Sequence, residues 1–348
     1  MGSTRARLRP PSSDRRWRSS VKRAEVIDLV EGLTLREAFN RTLSELADED
    51  PRVVMLDADN ATATTEGVFA AAHPERFLQM GAAEQNMVGV AAGLATMGFV
   101  PFVTSYACFQ VFRAHDQVRV LLAQTGLPVR LVGQSAGILT GLTGKTHQSI
   151  DDVATMRAMP GMTVVAPGDE HETRAVLRWS LEFSGPVYIR LARGSAPLLF
   201  DSSYTFESPS AIVVREGRDP AILSTGLQTS RVLAALPGLV AGGLDPVVVH
   251  IPTLKPLDEE SIVEVARRAG RVVTVEDHTV LGGLGGAVAE VLSARHPVLL
   301  HRIGIDDRYA ESAGHDELVE RYGISPAAVA RSILSWASAT VGLAPAVS

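Results

Sequence analysis

The chain has a single cysteine, Cys108, in 348 residues. No disulfide can close within it, so the fold must hold by packing, and a reducing cytoplasm suits such a chain. Lysine is nearly missing too, with Lys22, Lys145 and Lys255 the only three. Positive charge therefore rests on arginine, a bias of composition rather than of chemistry. No apolar run approaches the roughly 18 residues that a bilayer-spanning helix needs. The 46 % hydrophobic content and the mean hydropathy of +0.13 are then expected in buried sheet and a subunit interface, with no membrane contact. A net charge of -6 speaks against nucleic acid as a partner. Aromatic residues make up only 5 % of the chain, so Tyr106, Phe109 and Phe112 stand out as three within one short stretch.

The length suggests two domains. Residues 1–28 are polar and basic, with no apolar core like that of a secretory signal, and are expected to form a disordered tail. From Leu35 the segment LREAFNRTLSELAD puts Leu35, Ala38, Phe39, Leu43 and Leu46 on one helical face. VVML follows as a buried strand ending at Asp57, with Asp59 just beyond. GAAEQNMVGVAAGLATMG, from Gly81 to Gly98, is a slim helix with the carboxylate of Glu84 at its start. By itself an acid there needs no function, because it complements the helix dipole. FVPFVTS and PVRLVG read as strands, separated by a helix that ends at Gly126. A Gly- and Thr-rich loop from Gln134 to Thr146 is too long for a simple turn and is suspect as functional. TVVAP and PVYIRLA are further strands, with a helix between them capped by Asp169.

Nearly continuous apolar strands alternating with helices indicate parallel sheets covered on both faces. The rhythm breaks between Ser195 and Pro220 and resumes with AILSTG, PVVVHI, RVVTVED and VLLHRIG. The expected fold class is therefore α/β: two domains with mostly parallel sheets covered by helices. The expected divisions are 29–200 and 220–340, joined by a linker at 201–219. GGLGG at Gly282 to Gly286 lacks the GxGxxG spacing and is not a dinucleotide site.

GAAEQNM, SYACF and GKTHQ, in that order, resemble the pyrimidine-binding half of the transketolase family of thiamine diphosphate enzymes, and the resemblance covers nearly everything after residue 30. It implies a pyrimidine-binding domain followed by a transketolase C-terminal domain. It also implies roles for particular residues. Glu84 matches the glutamate that bonds the cofactor's aminopyrimidine ring. Tyr106, Phe109 and Phe112 match the aromatics that hold that ring, and Asp59 matches an acid near it. His147 matches the histidine that contacts the hydroxyls of the bound ketose. Arg36 and Arg193 match arginines that hold the substrate's phosphate, a task suited to a planar guanidinium.

In QSAGILTGLTGKTHQ the chain departs from the family. Ser135 stands for a histidine, Leu142 and Thr143 for an acidic pair, and Lys145 for a small residue or proline. Losing a buried hydrogen-bond partner costs roughly 1–3 kcal/mol, enough to change acceptor choice. The expected acceptor is thus an unphosphorylated aldehyde or a carrier-bound lipoyl group, with a ketose phosphate kept as donor. The GDG and Asn-pair signature that binds diphosphate and Mg²⁺ in the family does not occur in these 348 residues. That implies a partner N-terminal subunit holding most of the Mg²⁺ and diphosphate contacts, in an α2β2 heterotetramer. Two other readings remain: the β subunit of a 2-oxo acid dehydrogenase or a 1-deoxyxylulose-5-phosphate synthase-like enzyme, and a non-catalytic binding subunit.

Overall fold

The computed structural model describes residues 21–23, 30–59 and 67–341. The first half runs β1 (Lys22–Arg23), β2 (Glu31–Thr34), α1 (Leu35–Glu49), β3 (Val53–Asp57), α2 (Gly67–Ala72), β4 (Phe77–Gln79), α3 (Glu84–Thr96) and β5 (Val100–Tyr106). After a helical stretch come β6 (Arg130–Ala136), α4 (Asp152–Ala158), β7 (Thr163–Val165), α5 (Glu170–Glu182), β8 (Val187–Ala192) and β9 (Ser195–Pro197). The second half runs β10 (Ile212–Arg215), β11 (Ala221–Ser224), α6 (Gln228–Ala241), β12 (Val247–His250), β13 (Thr253–Lys255) and α7 (Glu259–Ala269). It finishes with β14 (Arg271–Thr279), α8 (Leu284–Arg295), β15 (Leu299–Ile305), α9 (His315–Arg321) and α10 (Pro326–Ala339).

Two large sheets form, alongside a small antiparallel pair of β2 with β9. The first has strand order β13-β7-β8-β6-β5-β3-β4 and the second β1-β10-β12-β11-β14-β15. Within the two large sheets all neighbours are parallel except β13 with β7 and β10 with β12. Parallel sheets need cover on both faces, and every residue of β3, β6 and β8 is buried accordingly. Helix α1 covers the first sheet with Leu35, Phe39, Leu43 and Leu46, each fully buried. Its start is set by a capping box in which Thr34 and Glu37 satisfy each other's backbone amides. Asp169 caps α5 as its sequence position suggests, accepting from the Glu172 amide at 2.8 Å. Its other oxygen accepts from the amides of Leu199 and Phe200. Burial pushes this carboxyl up to about 6.

The two halves are less separate than the sequence suggests. Strand β13 follows β12 of the second sheet yet pairs with β7 of the first. Val54 and Leu131 of the first sheet share one apolar core with Val213, Leu223 and Val249 of the second. Two expected boundaries need correction. The expected tail of 1–28 contains β1, whose Lys22 and Arg23 pair with Ile212 and Val213, beside a buried Val21; residues 1–20 and 24–28 lie outside the described residues. The expected linker of 201–219 contains β10, because IVVR completes the second sheet beside β12.

Glu276, in β14, caps α8 by accepting from the amides of Leu284 and Gly285 at 2.7 and 2.8 Å. Burial pushes its carboxyl up to about 7. A carboxyl whose pKa is raised on folding lends stability at low pH and loses it as pH rises through the folded value. Between pH 4.5 and 7 the stability of wild type should therefore fall relative to Glu276→Gln. Denaturant midpoints measured for both proteins across that window check this, and a constant difference would refute it.

Candidate active site

The C-terminal ends of parallel strands are where open α/β sheets place ligands, and the chemistry-bearing residues gather there. β5 and β6 are neighbours, with Tyr106 opposite Gln134 in register. Tyr106 ends β5 and Phe109 stands in the helical stretch that begins at Ala107, so the two lie on different elements. Their rings still meet edge-on at 5.9 Å. His147, from the Gly- and Thr-rich loop, packs against both rings at 5.3 and 5.0 Å. Cys108 fastens that loop to the aromatic segment through the carbonyl of His147 at 3.4 Å. Burial pushes its thiol up to about 12, so it remains protonated.

Glu84 is the first residue of α3, and its side chain is only 1 % exposed. Its carboxylate accepts from Arg113 Nη1 at 2.8 and 2.7 Å and from Ser105 Oγ at 3.4 Å. The Arg113 guanidinium lies over the Phe109 ring, 4.5 Å from its centroid. A planar, cationic donor thus bonds Glu84 while stacking on Phe109. These are the two contacts that an aminopyrimidine ring requires, and half of the Arg113 side chain faces solvent. The residues present therefore fit thiamine diphosphate on its pyrimidine side. Arg113 was not legible from the sequence, since nothing local links it to a glutamate 29 positions earlier.

A second group lies at the ends of β6 and β8. A cavity of about 280 Å³ is lined by Arg36, Ser135 and Arg193, together with Gln134, Glu37 and His315. Arg36 Nη2 donates to Ser135 Oγ at 3.0 Å. Neither arginine makes an ion pair among the described residues. Glu37, the acid in the wall, is engaged by the capping box, and those hydrogen bonds hold its carboxyl below its usual value. His315 had no signal in the sequence, because it comes from the second domain.

Other expected site residues lie elsewhere. Phe112 is 43 % exposed and makes no ring contact with the Tyr106–Phe109 pair among the described residues. Asp59 is exposed with a left-handed backbone, its amide donating to Gln79 Oε1 at 2.9 Å. No hydrogen bond joins it to the Glu84 group among the described residues. Thr143 and Lys145 are exposed on the loop, as is Leu142 at 84 %, and none of the three lines the arginine cavity. Among the described residues no cluster of His, Cys, Asp or Glu could hold a metal ion.

The arrangement defines a two-domain α/β protein with a buried carboxylate against an aromatic wall at its strand ends. Residues 31–197 match the family model of the transketolase pyrimidine binding domain, and residues 210–329 that of the transketolase C-terminal domain. A putative uncharacterized transketolase family protein, y4mN, of Sinorhizobium fredii is 43 % identical over 302 residues, covering 86 % of this chain and 87 % of that one. The 6-deoxy-6-sulfo-D-fructose transketolase subunit SqwH of a Clostridium species is 41 % identical, covering 86 % of this chain and 92 % of that one. A solved split gene transketolase, described as an inactive beta4 tetramer, superposes with a TM-score of 0.80 at 41 % identity, covering 87 % of this chain and 99 % of that one. This chain belongs to the transketolase family. It is a transketolase-like transferase, and its family implies dependence on thiamine diphosphate. No helix among the described residues is long and apolar enough to cross a membrane.

Proposed function

We propose that this chain is the C-terminal subunit of a split transketolase that takes a two-carbon ketol unit from a ketose phosphate in the cytoplasm. The observation that carries this reading is the buried Glu84 carboxylate beside Phe109, gripping a stacked planar donor. When bound, thiamine diphosphate supplies the nucleophilic carbon that cleaves the ketose. Glu84 accepts a hydrogen bond from its pyrimidine ring, while Phe109 and Tyr106 hold the ring flat. Arg113 must swing aside to admit it. His147 contacts the ketose hydroxyls, and Arg36 and Arg193 hold the phosphate. Diphosphate and Mg²⁺ contacts come from an N-terminal partner subunit, in an α2β2 heterotetramer. Leu142 and Thr143 supply no carboxylate for an acceptor hydroxyl, which favours an unphosphorylated aldehyde or a carrier-bound lipoyl group.

A second reading has one observation in its favour: a 1-deoxy-D-xylulose-5-phosphate synthase of Geobacter sulfurreducens is 35 % identical over 307 residues, although the match spans only 48 % of that protein. Co-expression with an N-terminal transketolase subunit, followed by assays with Mg²⁺ and thiamine diphosphate, separates the two. Consumption of a ketose phosphate supports the first reading, and consumption of a 2-oxo acid supports the second. An assembled complex that consumes neither would sink both.

A further inference from the structure

We propose that His315 supplies, from the C-terminal domain, the imidazole of an oxyanion-binding cavity whose other walls belong to the pyrimidine-binding domain. The inference rests on the transketolase reading for the identity of the substrate, but not for the existence of the cavity. Arg36 and Arg193 line that cavity without an ion-pair partner among the described residues, and Ser135 presents a hydroxyl between the strand end and Arg36. Glu37, the one acid in the wall, is held in its capping box, so two guanidiniums in no ion pair among the described residues face the cavity, which suits a group with several anionic oxygens. Ser135 occupies the place where the family pattern carries a histidine, so the wall contributed by the first domain has no imidazole. His315, 180 residues further along the chain, lines the same space.

The backbone that carries His315 is fastened, while its side chain is exposed toward the cavity mouth. The segment leading to it lies on the Gly- and Thr-rich loop, with the Ala313 amide donating to the Gly141 carbonyl at 3.2 Å. Gln148 Nε2 donates to the Glu311 carbonyl at 3.2 Å. Gly141 and Gly144 lie so close to the Ala313 carbonyl and the Ser312 hydroxyl that a Cβ at either position would collide. The same loop is tied back to the strand end, because Thr140 Oγ1 donates to the Ser135 carbonyl at 2.8 Å. That loop thus holds Ser135 on one side and the approach to His315 on the other. The cavity's volume of about 280 Å³ equals that of roughly nine liquid waters, enough for a phosphate or sulfonate with its attached carbon. The C-terminal domain thereby takes part in reading the anionic end of the substrate. A phosphate monoester and a sulfonate share this chemistry.

The test compares wild type with His315→Asn in the assembled two-subunit enzyme, using a 6-phospho ketose, a 6-sulfo ketose and the unsubstituted ketose. The ratio of kcat/KM for an anionic ketose over the unsubstituted one should fall about tenfold, the size of one lost hydrogen bond to a charged group. The ketose showing the larger fall identifies the natural anion. Gly141→Val, which displaces the segment without touching His315, should lower the same ratio. Titration of inorganic phosphate into the purified chain supplies a readout independent of catalysis, and affinity should drop similarly in His315→Asn. An unchanged ratio, or equal phosphate affinity if no ketose is consumed, would overturn the proposal. Transfer activity missing altogether, with phosphate affinity lowered as expected, would count against the transketolase reading alone.

Discussion

Glu84→Gln lowers two-carbon transfer by the assembled enzyme by about 10²–10⁴-fold, the range expected for a positioned proton-transfer group. Glutamine keeps the shape of the side chain at the start of α3 and can still accept from Ser105, 3.4 Å away. It lacks the negative charge needed to favour a protonated pyrimidine nitrogen. The loss should therefore fall on kcat, with subunit assembly intact. The ion pair with Arg113 also goes, but half of the Arg113 side chain is exposed, so solvent takes its place at little cost. Steady-state rates beside a sedimentation measurement of the complex check this. Full activity in Glu84→Gln would remove the glutamate from the chemistry and return it to the bland role of a helix-start acid.

Asp152→Ala destabilises the chain by about 3–5 kcal/mol, the cost of leaving a buried charge unpaired. Asp152 is fully buried and Arg190 is 5 % exposed, with Nε donating at 2.8 Å. Burial, the largest single influence, pushes the Asp152 carboxyl up, yet the Arg190 charge, the His278 ring and the hydrogen bonds from Arg190 and Tyr188 together outweigh it and hold the carboxyl below its usual value. The Tyr188 hydroxyl donates to the same carboxylate at 2.7 Å. Arg190 also donates to the Ser149 carbonyl and, at 2.8 Å, to that of Asp277 in β14. The pair thus joins β8, α4 and the second sheet, so its loss loosens the seam between domains. Folded proteins hold only about 5–15 kcal/mol in reserve, so the denaturant midpoint should fall steeply. A loss below about 1 kcal/mol would show that Arg190 finds other compensation. Replacing both partners with apolar residues should restore much of the stability.

Much of this protein was legible from one dimension. Apolar runs such as VVML and PVYIRLA became buried parallel strands because no other arrangement covers both of their faces. Asp169 was readable as a cap because capping is satisfied within three residues. Glu84, Tyr106, Phe109 and His147 stood in short motifs, and the structure brings the rings of the last three together. Phe112, three residues beyond the SYACF motif, is 43 % exposed and lies in a π-helical turn over Phe109–Arg113 that periodicity does not announce.

Local pattern and propensity determined the alternation of strands and helices, the caps and the position of the acid at the head of α3. Tertiary structure alone decided that Arg113 closes on Glu84, that β13 crosses into the first sheet and that His315 reaches the cavity of Arg36 and Arg193. The division has a physical cause. Backbone hydrogen bonds and side-chain periodicity are settled among near neighbours, whereas a pocket is made by whichever distant surfaces packing presses together, and no residue carries a local mark of its partner across that distance.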